Sequence, residues 1–197
     1  MKRKLFISVF VLLALFTIVG CGAKKENTNN NSSNSSSNEV KENSNSVVLY
    51  FSTTGTTKSI AERISKELNS DIIEIIPKEK YKSEDLNYNS DCRANKEQND
   101  SKARPKIKNN IDITKYDTIY LGYPIWWGTN PKIILTLLDT YDFTGKTIIP
   151  FCTSGSTGIS GSVSDLRDYN SKLTIKDGKR FDSSASDQEI KDFINDN

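Results

Sequence analysis

Three short stretches of this chain carry residue types that could do chemistry. Ser52-Thr53-Thr54-Gly55-Thr56-Thr57 sets five hydroxyl side chains around one glycine. Hydroxyl donors, backbone N–H groups and a following helix N-terminus together make an anion site. Lys58 is the only positive charge nearby, and such a neutral cradle suits a phosphomonoester. A nucleotide-triphosphate loop does not fit. The Gly-Lys-Ser/Thr order is missing, and Tyr50 stands where that loop's first glycine would be. The GxGxxG dinucleotide fingerprint is also absent. Taken alone, the stretch fits a phosphate cradle and a Thr-rich turn capping a helix equally well. The second stretch, Tyr123-Pro124-Ile125-Trp126-Trp127-Gly128, puts two adjacent indole rings beside a proline and a glycine. Two such rings cannot both point inward from one short turn, and flat rings at a ligand edge stack on planar ligands. The competing reading is one core Trp and one surface Trp. The third stretch, Thr153-Ser154-Gly155-Ser156-Thr157-Gly158, offers four hydroxyl residues and two glycines. Glycine lets the backbone approach a planar ligand and donate to it directly; the alternative is a flexible surface loop.

Each stretch needs an element to position it. Val47–Phe51 is an unbroken apolar run, as for a strand buried on both faces. Ile60, Ala61, Ile64 and Leu68 then mark one face of an amphipathic helix. Asp71–Ile76 reads as a second strand stopped by Pro77, and Asp117–Leu121 as a third before the Trp stretch. Asn130-Pro131 is an N-cap and first-turn pair opening a helix with Ile133, Ile134, Leu137 and Leu138 on one side. Lys146–Cys152 is a fourth strand running into the third stretch, and Gly161–Tyr169 a further helix. A final strand near Lys172–Ile175 can extend past Asp177-Gly178, and Ser186 caps a last short helix through Ile190 and Phe193. Residues 78–114 are polar and weakly patterned; Asp91–Asn99 reads as a short helix with Arg93 and Glu97 paired at i,i+4. Alternating strand and helix predicts an α/β doubly wound fold, with ligands beyond the carboxyl ends of the strands. All three stretches directly follow strands, which gathers them at one edge.

Composition excludes several functions. The chain has 197 residues and no histidine, so Ser-His-Asp, Cys-His and His-ligated metal chemistry are absent. Residues 1–20 open with Lys2, Arg3 and Lys4, and a mostly apolar run follows from Leu5 to Val19. That is the layout of a signal peptide, too short for a confident spanning helix. Ile18-Val19-Gly20-Cys21 resembles the bacterial lipobox, whose cysteine is acylated; the alternative is a plain transmembrane anchor. Either one tethers the domain outside the cytoplasm. Losing the three opening charges turns the formal net charge from +2 to −1, so nothing argues for nucleic acid. Residues 21–46 then comprise the lipidated Cys21 and an Asn/Ser/Lys/Glu-rich tether without a core. Residues 47–197 form one domain. With Cys21 acylated, Cys92 and Cys152 are too few for a disulfide framework, and whether they pair stays open.

At these residues the chain resembles the flavodoxin-like family, in its branch with a Tyr-Phe-Ser-x-Thr-Gly-x-Thr phosphate loop, a Gly-Tyr-Pro-Ile-Trp-Trp-Gly loop and a Cys-Thr-Ser-Gly loop. The matching residues are Tyr50–Thr57, Gly122–Gly128 and Cys152–Gly155, with Arg93, Glu97 and Arg104-Pro105 in the insertion after the second strand. Ser156 stands where that branch often has glycine, and the last helix looks short. The resemblance implies a flavodoxin-like three-layer α/β sandwich: a five-stranded parallel sheet of order 2-1-3-4-5 with FMN at the strand ends. Ser52, Thr54, Gly55, Thr56 and Thr57 would hold the phosphate. Pro124, Ile125, Trp126, Trp127 and Gly128 would line one side of the isoalloxazine, and Thr153, Ser154, Gly155 and Gly158 the other. No residue need act as acid or base, since the flavin carries the redox chemistry. Cys152 reads as a buried strand residue without an activating base.

Three functions follow as expectations. The first is electron transfer at the outer face of the cytoplasmic membrane, with a redox protein or quinone as partner. The second is an FMN-dependent reductase of quinones or similar small acceptors, fed by a nicotinamide or a membrane donor. The third is a flavin-free binding lipoprotein reusing the fold, against which the Trp pair argues, because an empty site would expose apolar surface.

Overall fold

The computed structural model describes residues 45–197; the expected signal peptide, Cys21 and nearly all of the tether lie outside the described residues. Strand β1 (Ser46–Tyr50) begins one residue before the apolar run suggests and leads into α1 (Thr56–Leu68). Then come β2 (Asp71–Glu74), a single 3-10 turn at Ser83–Leu86, α2 (Arg93–Asn99), β3 (Thr118–Pro124) and α3 (Lys132–Thr140). The chain continues through β4 (Thr147–Thr153), α4 (Ser160–Tyr169), β5 (Thr174–Ile175), β6 (Lys179–Phe181) and α5 (Asp187–Asn195). The strand order is β2-β1-β3-β4-β5 and every pair is parallel, as expected of a doubly wound sheet.

The period-2 alternation of the strands divides the core between two faces. Val48, Tyr50, Tyr120, Ile149 and Phe151 pack on Ile60, Ala61 and Ile64 of α1 and Ile190, Phe193 and Ile194 of α5. Val47, Leu49, Leu121 and Ile148 face the other way, onto Ile133, Ile134 and Leu137 of α3 and Val163 and Leu166 of α4. The short α5 is anchored by a Ser186/Glu189 capping box, and Arg63 of α1 pairs with Asp187 at 2.7 Å.

The fifth position in the sheet is one strand broken in two. β5 pairs with Thr147 and Ile148, and β6 resumes on Phe151, Cys152 and Thr153. Lys176 N–H donates to Ile148 O at 2.9 Å, so Ile148 and, two residues on, Pro150 turn their backbone polar groups to this edge. Pro150 has no N–H to give. The chain bulges there at Gly178, with φ +72°, where an added Cβ would lie 2.2 Å from Pro150 O. Only glycine fits that approach without a shift of backbone.

Helix α3 also differs from expectation. Pro131, not Asn130, occupies its cap position and gives no side-chain bond. The missing acceptor comes from the insertion: Gln98 Oε1 of α2 accepts from Lys132 N–H at 3.1 Å.

Candidate functional site

The first loop ends in a helix start that lacks a cap. Gly55 sits at the N-cap of α1 with φ +91°, offers no side chain, and no acidic residue occupies the first turn. The first intrahelical bond is Ser59 N–H to Gly55 O at 2.9 Å, so the amides of Thr56, Thr57 and Lys58 lie ahead of the ladder. Ser52 Oγ accepts from Gly55 N–H at 3.2 Å and folds the loop back on itself. Among the described residues, no hydrogen bond occupies the hydroxyls of Thr53, Thr54 or Thr56; Thr54 is exposed and the other two are half-buried. A cavity of about 210 Å³ opens beside this loop, lined by Ser52, Thr53, Lys80 and Tyr81 among others. Ladder-free amides, free hydroxyls and the positive end of a 13-residue helix are a donor set chemically suited to an anion.

The other two loops are laced to the first. Thr57 and Thr153 are both buried, with their Oγ1 atoms 2.7 Å apart. Ile125 N–H donates to Thr153 O at 3.0 Å. These residues therefore brace the site from within instead of lining it. The expected gathering of three loops at one edge is what the sheet delivers, since β1, β3 and β4 are neighbours.

The two tryptophans part company. Trp126 is 5 % exposed, its ring edge-on to Phe51 at 5.5 Å and to Tyr81 at 5.1 Å. The reading of both indoles as ligand-facing is thus corrected: one is core and one is not. Trp126 and Thr129 exchange both backbone hydrogen bonds, at 2.9 and 3.0 Å, around a two-residue turn of Trp127 and Gly128. Both turn residues have positive φ, +48° and +85°, as a type I′ hairpin turn requires. A bulky Trp in that region is rare and strained. The turn lifts the Trp127 ring out to a half-buried position, stacked on Tyr88 at 4.1 Å and 27°. Burial raises the Tyr88 hydroxyl, with the Trp127 backbone beside it opposing. Pro124 ends β3 half-buried, Ile125 is buried, and Gly128 is exposed.

In the third loop Ser154 is half-buried and tied to its neighbours. Its N–H donates to Phe181 O at 3.3 Å and its hydroxyl to Thr157 O. Gly155 and Gly158 are exposed, with open space where a Cβ would be. Cys152 is wholly buried and its thiol is pushed up to about 12 by burial, against a small opposing pull from Arg180. It carries no thiolate at neutral pH, as its lack of a base suggested, and both Cys92 and Cys152 are free thiols.

Residues 78–114, polar and weakly patterned in the sequence, support the Trp loop. Arg93 and Glu97 pair as expected, with Nε 2.7 Å from Oε1. Glu97 also accepts from the Tyr81 hydroxyl at 2.5 Å, while the Arg93 guanidinium lies 4.0 Å over the Tyr81 ring. Gln98 Nε2 donates to Trp126 O and Asn130 O, each at 3.2 Å. Arg104 fastens the far end to α3 and α4 through Asp139 at 2.7 Å and the Tyr169 hydroxyl at 3.0 Å. Tyr81, Tyr88 and Gln98 were not legible as site residues; no local period marks them.

The flavodoxin family profile matches residues 45–197. The chain belongs to the flavodoxin family. No curated protein matches it. Among solved structures, a protein from Bacteroides uniformis described as a flavoprotein is 38 % identical, with TM-score 0.74, covering 76 % of this chain and 97 % of its own. Its counterpart from Bacteroides eggerthii is 36 % identical, with TM-score 0.73, covering 76 % of this chain and 95 % of its own. A flavoprotein in complex with FMN from Lactobacillus acidophilus is 27 % identical, with TM-score 0.59, over 76 % of this chain and 97 % of its own.

Proposed function

We propose that this chain is an FMN-binding electron-transfer protein held by lipid on Cys21 at the outer face of the cytoplasmic membrane. The observation that carries the reading is the uncapped start of α1, where three ladder-free amides stand with the free hydroxyls of Thr54 and Thr56 at the same sheet edge as the half-buried Trp127. The donor set fits a phosphomonoester, and the aromatic pair fits a planar ring. FMN supplies the redox centre when bound, so the protein needs no acid, base or metal. Thr54, Gly55 and Thr56 hold the phosphate, with Ser52 shaping their loop and Thr57 pinned to Thr153. Trp127 with Gly128 covers one side of the ring, over Ile125, Trp126 and Pro124, and Gly155 and Gly158 approach the other.

The full chain, purified in detergent, should show flavin absorbance, or take up FMN from solution with saturable quenching of tryptophan emission. A folded protein that does neither supports the flavin-free binding lipoprotein instead. The anchoring reading has its own test. Cys21→Ser should abolish acylation and leave the precursor uncleaved or released from membranes. An acylated, membrane-bound Cys21→Ser protein would overturn it.

A further inference from the structure

Arg180 lies in β6, opposite Cys152, and reaches under the third loop. Its Nη1 donates to Ser154 O at 2.7 Å and lies 3.5 Å from Gly155 O. Both peptides are trans, so each carbonyl held by the guanidinium aims the next N–H the opposite way. Two successive amides, of Gly155 and Ser156, are thereby turned outward from Arg180. Neither has a hydrogen-bond partner among the described residues. Both residues are exposed. Arg180 makes no ion pair among the described residues. Asp182, an acid that feels its charge, accepts from the Ser184 hydroxyl and N–H at 2.7 and 2.8 Å and makes no ion pair with Arg180. The guanidinium charge of Arg180 thus backs a preoriented pair of donors.

We propose that Arg180 is a positioning residue that tunes this site toward the reduced, negatively charged flavin. The inference rests on the FMN reading above. A flavin gains negative charge on its pyrimidine edge when fully reduced, and fixed dipoles aimed at developing charge cost no reorganisation. The oxidised ring, neutral at that edge, gains much less from the same donors. The effect is therefore a difference in affinity between two oxidation states, which is a shift in potential. It opposes the Trp127 ring, whose stacking favours the oxidised form.

The test measures FMN affinity in both oxidation states, and the potential by dye equilibration, for the full chain and two variants. Arg180→Gln should weaken the reduced form about tenfold more than the oxidised form. That ratio corresponds to about 30 mV in the two-electron midpoint potential. Arg180→Lys, which keeps the charge and loses the planar fork, should recover part of the difference. It carries the test should the Gln variant fail to fold. Equal losses in both oxidation states, or unchanged potentials in both variants, overturn the proposal. A wild-type chain that binds no FMN overturns the cofactor reading instead.

Discussion

Trp126→Ala and Trp127→Gly should fail in opposite ways. Trp126 fills the space between Phe51, Tyr81 and the top of the sheet, and only 5 % of it reaches solvent. Truncating a buried aromatic costs about 3–5 kcal/mol, through lost transfer energy and the cavity left behind. That is a large share of the roughly 5–15 kcal/mol that separates folded from unfolded domains. The loss also unsettles Tyr81, whose hydroxyl is raised by burial and then by its bond to Glu97. The Trp126 variant should thus melt far below the parent and lose FMN only as a consequence. At Trp127 the backbone stands at φ +48°, where glycine is at ease and tryptophan is not. Trp127→Gly should keep or raise the melting temperature. It should nevertheless weaken FMN about tenfold, since an aromatic pair adds about 0.5–1.5 kcal/mol beyond the area it covers. Thermal denaturation and an FMN titration on each variant check the split. A Trp127→Gly protein that binds FMN as tightly as the parent removes this ring from the site.

The Thr54→Val, Thr56→Val double variant should separate FMN from riboflavin. Both hydroxyls stand free at the start of α1 with no carboxylate in the first turn. A hydrogen bond to a charged group is worth about 1.5–3 kcal/mol. The pair therefore accounts for roughly two to four orders of magnitude in FMN affinity, at about 1.4 kcal/mol per tenfold. Riboflavin has no phosphate and should bind the variant as it binds the parent. Helix stability should hardly change, because neither hydroxyl caps a backbone group of α1. Equal losses for the two ligands would place the phosphate elsewhere.

Much of this molecule is legible in its sequence because the signals are local. Continuous apolar runs at Val47–Phe51 and around Ile148 suit strands buried on both faces, and β1 and β4 lie there, buried. The stripe Ile60, Ala61, Ile64 fixes the buried face of α1, and Ser186 with Glu189 fixes the start of α5. Strand-loop-helix alternation with hydroxyl and glycine clusters after β1 and β4 places the edge where a ligand belongs. What tertiary structure alone decided is which side chains at that edge face outward. Trp126 and Trp127 are neighbours in sequence, yet a two-residue turn with positive φ sends one into the core and the other outward. Thr57 and Thr153 become partners across 96 residues, so their hydroxyls brace the loops. Tyr81, Gln98 and Arg180 reach the site from segments with no periodic pattern of their own. Their roles arise from long-range pairings: Glu97 with Tyr81, Gln98 with Trp126 O, and β6 with β4 beyond the gap that Pro150 leaves. Local backbone preference selects strands, helices and turns from residues a few positions apart. The direction of a side chain at a loop depends on what the rest of the chain has already packed beside it.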